Sequence, residues 1–174
     1  MSVRVFGVDE QDDEPVDVGR WVRLAEQVLA AEGVRRTSEL SVLFVDTAAM
    51  ADLNERHMGK QGPTDVLAFP IDDDGLEPGR WPDNGPTGPD RPPLDLDEVP
   101  SLLGDVVVCP AVAAAQAPEH AGKPQHSGSV DDEIALLVVH GILHVLGHDH
   151  AEPDETAAMQ AKEQAHLAAF HTPS

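Results

Sequence analysis

The 174-residue chain has a single cysteine, Cys109, so it can form no internal disulfide and suits a reducing compartment. It also lacks the cysteine set that structural zinc sites usually recruit. Cys109 itself lies in an apolar, strand-like run and reads as a small buried hydrophobe. Basic charge is scarce: 11 Lys and Arg stand against 32 Asp and Glu, a formal net charge of −21. Nucleic-acid binders normally carry a basic face, so charge taken alone argues against that class. Long hydrophobic runs are missing too. The longest, Ile134 to Leu146, is too short to cross a bilayer and contains two histidines. The opening Met-Ser-Val-Arg-Val has no basic segment followed by an apolar one, so no signal peptide is expected. The expectation is one cytoplasmic domain spanning residues 1–174, long enough to bury a proper core.

What the chain does have is histidine, concentrated in His140-Gly-Ile-Leu-His-Val-Leu-Gly-His-Asp-His150. The run Ile134 to Val139 before it reads as a buried helix. On that helix His140 and His144 share one face, one turn apart, which is how a helix offers two imidazole nitrogens to one metal ion. Gly147 is a natural helix stop. Beyond it His150 can fold back as a third ligand. His148 suits that place less well, because a straight helix would hold it roughly 12 Å from His140 along the axis, at about 1.5 Å per residue. Three histidines with an open fourth position describe a catalytic zinc site. Four histidines in eleven residues, two on an otherwise apolar helix, make chance clustering a poor account.

The spacing also matches His-Glu-x-x-His-x-x-Gly-x-x-His, the pattern of a zinc protease class in which the Glu after the first His is the general base. Here that position is Gly141. The metal scaffold is present and the protease base is not, which points to hydrolysis of something other than a peptide. Asp149 is a candidate either to orient a ligand imidazole or to act as the base, and equally a plain turn residue. His148 is a weaker candidate for protonating a leaving oxygen.

Read in order, Val3–Val8, Glu39–Val45, Asp65–Phe69 and Leu102–Val108 form strands. Val18–Ala31 is an amphipathic helix capped by Asp17, and a second helix runs from Asp46 or Thr47 through Glu55. Pro110 opens a short helix to Ala117, Asp131 or Asp132 caps the metal helix, and Pro153 starts a last one ending near Phe170, with Met159 and Leu167 turned inwards. His120 and His126 read as surface residues of a polar loop. Residues 71–100, dense in Asp, Pro and Gly, read as a long loop in which Trp81 is a candidate anchor. The fold class predicted is α+β: a mixed sheet of about four strands with helices packed on it.

Taken with two further blocks, His140-Gly141-x-Leu143-His144-x-x-Gly147-x-Asp149-His150 resembles the signature of the bacterial rRNA maturation factor family, the YbeY-type endoribonucleases. The further blocks are Leu53-Asn54, Gly59-Lys60 and Pro63-Thr64-Asp65-Val66-Leu67-Ala68-Phe69-Pro70, and then Leu103-Gly104-Asp105-Val106-Val107-Val108-Cys109. The resemblance runs from about residue 38 to 165 and lapses over residues 71–100, which then look like an insertion. It implies a zinc-dependent endoribonuclease acting on single-stranded RNA, with precursor ribosomal RNA and the small ribosomal subunit as partners. His140, His144 and His150 would be its ligands. By the same resemblance the strand opened by Thr64 and Asp65 would lie beside the metal where an extended substrate rests, and Lys60 is a candidate phosphate contact. Met58 stands where the family often has an arginine, so no arginine role carries over to this chain. The acidic excess fits such an enzyme if it crowds away from the groove, or if the RNA is held by a larger assembly. Two other readings stay open, a zinc hydrolase of another class such as a peptidase and a non-catalytic ribosome-associated factor.

Overall fold

The computed structural model describes residues 3–34, 38–70, 101–123, 125–147 and 153–171. Four strands, β1 (Val3–Asp9), β2 (Ser38–Phe44), β3 (Val66–Pro70) and β4 (Ser101–Val108), form one sheet in the order β1-β2-β4-β3. β1, β2 and β4 run parallel, and β3 joins the edge antiparallel to β4. Helices α1 (Val18–Ala31), α2 (Thr47–Met58), α3 (Pro110–Gln116), α4 (Val130–Val145) and α5 (Pro153–Phe170) complete the α+β fold; a 3-10 turn over Ala117–His120 extends α3.

Alternation along the strands sends one set of side chains to each face. Leu40, Val42, Phe44, Val106 and Val108 meet Trp21, Leu24, Val28, Ile134, Val138, Ile142, Met159 and Leu167 in the main core, between the sheet and α1, α4 and α5. The opposite face carries a smaller cluster built on Met50, Leu67, Val107 and Cys109, with Leu53 packed against it. Eleven of the sixteen residues of α4 are buried, so this helix is fixed on nearly all sides and lies against β3 and β4.

Helix ends follow local chemistry. The Asp17 and Asp46 carboxylates accept from the amides of Arg20 and Ala49, at 3.2 and 2.7 Å. At α4 the cap is Ser129, whose Oγ accepts from the Asp132 amide at 3.1 Å. The expected cap at Asp131 or Asp132 is therefore corrected. Asp132 is buried inside the first turn, accepting from Ser127 and from His171 Nε2, while Asp131 faces Arg20 at 3.1 Å. Both carboxylates still lie where the helix dipole favours negative charge. At the other end Gly147, at φ 97°, closes the helix with its amide on the His144 carbonyl, the stop expected from the sequence. His148, Asp149, His150, Trp81 and the 71–100 loop lie outside the described residues.

Candidate metal centre and groove

His140 and His144 sit in the last two turns of α4, half-buried between fully buried neighbours. The i, i+4 spacing places their rings 4.6 Å apart, and their Nε2 atoms face each other at 3.1 Å. Two ligand nitrogens on one tetrahedral zinc, each about 2.0–2.1 Å from the ion, are separated by roughly 3.3 Å. The spacing of the two nitrogens thus fits a shared cation. The second nitrogen of His140 supports the same arrangement. His140 Nδ1 donates to Glu163 Oε1 on α5 at 2.5 Å, so Nε2 carries the lone pair turned towards His144. Ligating histidines typically give their other N–H to a carboxylate in this way. Nothing local in the sequence marks Glu163, because it lies 23 residues from His140 and reaches it through the packing of α5 on α4.

The pair lines a groove of about 430 Å³. Lys60, Thr64 and Asp65 share that groove, so the candidate substrate residues and the two metal candidates are brought together. Its long wall is β3, which among the described residues stands at the sheet edge and pairs only with β4. The loop carrying Lys60 is held by buried Asn54, whose side-chain amide donates to the Gly62 carbonyl at 2.8 Å. Gly59 begins that loop in the left-handed conformation, φ 65°, as the C-cap of α2. Met58 lines the groove while half exposed. Arg56, two residues earlier, pairs instead with Asp52 on its own helix at 3.1 Å and is not among the groove's lining residues.

Gly141 also faces the groove wall, and its surroundings explain the missing carboxylate. A Cβ at this position would lie 2.6 Å from Val106 Cγ1 and 3.4 Å from Val66 Cγ2. The helix presses its backbone against β4 and β3 here, leaving no room for a glutamate. The absence of the protease base is built into the packing.

A second group gathers at the N-terminal end of α4. His120, His126 and Glu133 bring potential ligand atoms within 4.8 Å of one another and could hold a metal ion. His120 Nδ1 and His126 Nε2 approach Glu133 Oε2 at 2.6 and 2.7 Å. This corrects the reading of both histidines as surface residues: His126 is buried and His120 only partly exposed. The loop's polar composition hid them, and the one signal in the sequence was Glu133, an acidic residue directly ahead of the apolar run Ile134–Val139. Elsewhere, burial raises the Cys109 thiol above its ordinary pKa, in keeping with an inert core residue. Among the described residues no helix is long and apolar enough to cross a membrane.

Comparison with known proteins adds independent findings. The profile of the family described as Endoribonuclease YbeY matches residues 8–171. The chain is 47% identical to a protein of that description from Beutenbergia cavernae over 152 residues, covering 87% of each. It is 49% identical to one from Thermobifida fusca, covering 87% of this chain and 84% of the relative. It is 46% identical to one from Mycobacterium tuberculosis over 164 residues, covering 92% and 78%. Among solved structures, the solution structure of TM1509 from Thermotoga maritima superposes with a TM-score of 0.53. It covers 97% of this chain and 91% of that one at 19% identity, a likeness of fold.

Proposed function

The chain belongs to the YbeY family of endoribonucleases, and from that premise we propose a zinc-dependent endoribonuclease that cuts single-stranded RNA during maturation of small-subunit ribosomal RNA. The observation that carries the reading is the facing pair of Nε2 atoms on α4, opening into a groove walled by the edge strand β3. His140 and His144, completed by His150, would hold one zinc ion. When bound, the ion would supply Lewis acidity and a water of lowered pKa. The remaining work falls to side chains. Glu163 keeps the His140 proton on Nδ1 and so keeps Nε2 available to a ligand. Lys60, exposed on the groove rim, is placed to meet a backbone phosphate. Thr64 and Asp65 open the strand along which an extended RNA would lie. Asp149 is assigned to orient a ligand imidazole or accept the proton of the attacking water, and His148 to protonate the leaving oxygen. In this reading residues 1–174 form one cytoplasmic domain with an insertion at 71–100, acting on precursor RNA at the small ribosomal subunit. Peptide hydrolysis is disfavoured because position 141 has no space for the required glutamate.

The test is cleavage of a labelled single-stranded RNA by zinc-loaded protein, beside a chelated sample and His144→Ala. Cleavage lost in both controls supports the reading. Folded, zinc-bound protein that leaves the RNA intact refutes it.

A further inference from the structure

Gln116, the last residue of α3, joins two carboxylates. Its Nε2 donates to Asp65 Oδ2 and to Glu133 Oε1, each at 2.8 Å. Both neighbours are acceptors, so only the NH2 end of the amide can face them, and both of its hydrogens are used. The two carboxylates have no comparable freedom. Asp65 Oδ1 accepts from the Val66 amide at 2.8 Å and from Thr64 Oγ1 at 3.3 Å, while its carbonyl accepts from the Cys109 amide at 2.9 Å. Glu133 has no exposed surface, and its second oxygen takes both His120 and His126. A continuous chain of bonds therefore runs from His126 through Glu133 and Gln116 to Asp65 at the head of β3.

A metal ion at His120, His126 and Glu133 would be the other account of this cluster. The second ring nitrogen of His126 decides against it. His126 Nδ1 accepts from the Gly128 amide at 2.9 Å. A neutral imidazole in that position carries its one proton on Nε2 and gives it to Glu133. Coordination through Nε2 would leave the ring with no proton at all. His140 is arranged in the opposite sense, with its far nitrogen donating to a carboxylate and its near one turned to the shared site. As arranged here, hydrogen bonds from His120, His126 and Gln116 satisfy the buried carboxylate.

We propose that Gln116 and Glu133 are positioning residues for the groove: they tie the head of β3 to the first turn of α4 and thereby fix the spacing between the substrate strand and the helix carrying His140 and His144. This rests on the RNA-groove reading. A phosphate held along β3 reaches the reacting centre only if that spacing is right, and a misplacement of about 1 Å can cost on the order of 100-fold in rate.

The experiment uses the full-length protein with zinc and compares wild type with Gln116→Met, of similar length but without donors, and Gln116→Asn, one methylene short. The single-turnover rate constant on single-stranded RNA at saturating enzyme should fall about tenfold or more in both. Zinc affinity by chelator competition should stay within about twofold, since neither ligand is touched. A rate constant does not depend on how much protein is folded, so a role in stability alone would leave it unchanged. The second readout is hydrogen exchange at the Val66 and Cys109 amides, which should quicken in both Gln116 variants while α1 stays protected. If wild type cuts no RNA, the function fails but exchange still decides whether the tie exists. Unchanged exchange, an unchanged rate constant, or a second zinc equivalent lost in His126→Gln would each overturn the proposal.

Discussion

The two ends of α4 hold the same chemistry put to opposite uses. At the N-terminal end His120 and His126 turn their nitrogens onto one buried carboxylate. At the C-terminal end His140 and His144 turn theirs towards each other, and the carboxylate stands behind, on Glu163. The helix dipole favours both arrangements. Its positive end suits Glu133 in the first turn, and its negative end suits a cation beside the last. Residue type therefore does not separate a metal centre from a structural anchor. Two features do: which way the second ring nitrogen points, and whether the cluster opens onto a groove. The histidines near the C-terminal end line one beside β3, whereas Glu133 is sealed.

The largest contrast is expected from deleting one histidine at each end. His144→Ala should abolish stoichiometric zinc binding and lower RNA cleavage by about 1,000-fold or more, exceeding the ~10–100-fold typical of an outer partner. Because His144 is half-buried, the fold should tolerate the change. His126→Leu should do the reverse. Zinc stoichiometry should remain, while stability to urea falls by about 3 kcal/mol, because a fully buried carboxylate loses a donor. If His126→Leu also removed zinc, the distinction between the two ends would fail.

The next effect down separates ligand from support. Glu163→Gln should keep the fold but weaken zinc by about 10–100-fold in chelator competition. An unchanged affinity would mean that Glu163 only docks α5.

Of this site, the sequence exposed what local spacing can encode. An i, i+4 histidine pair on an apolar helix and a glycine stop needed no tertiary knowledge, and all four strands and the long helices lie close to where periodicity placed them, whereas the strand order β1-β2-β4-β3 comes from the structure alone. What stayed hidden depends on contacts between distant segments. Glu163 and Gln116 are ordinary surface-type residues in sequence, and they matter because α5 and α3 pack against α4. The Ser129 cap is hard to tell from the sequence because two aspartates follow it and cap as well on propensity. Gly141 lies between these cases. Its identity was noted as a missing base, but only the sheet contact supplies the reason. Gly141→Ala puts that reason to the test. Alanine gains up to about 1 kcal/mol in helix propensity, but forcing a methyl to 2.6 Å from Val106 should cost ~1–3 kcal/mol. The net expectation is a loss of up to about 2 kcal/mol by urea denaturation, without any gain of peptidase activity from Gly141→Glu. A stabilised Gly141→Ala protein would remove the packing explanation.

A third histidine–carboxylate pair, remote from both ends of α4, gives the baseline for the comparison. His166 on α5 approaches Glu32 at 2.5 Å, with Lys162 at 3.1 Å, tying α5 to the end of α1. Burial pushes the Glu32 carboxyl up, but the bonds and charges of His166 and Lys162 more than offset this, so it titrates below its ordinary value of 4.5. A carboxyl with a depressed pKa in the folded state contributes stability that is present above the ordinary value and lost as pH falls through the folded one. Glu32→Gln should therefore cost about 1 kcal/mol at pH 7, and its gap from wild type should close as the pH is lowered below 4.5. Zinc binding and RNA cleavage should not change, because neither Glu32 nor His166 lines the groove. The size of this effect gauges how much of the cost at His126 comes from pairing a histidine with a carboxylate, and how much from burying that carboxylate completely. If Glu32→Gln cost as much as His126→Leu, burial would not be what sets the anchor apart. If it cost little and lost even that in acid, the sealed Glu133 would stand as the more demanding site, where every donor is needed at once.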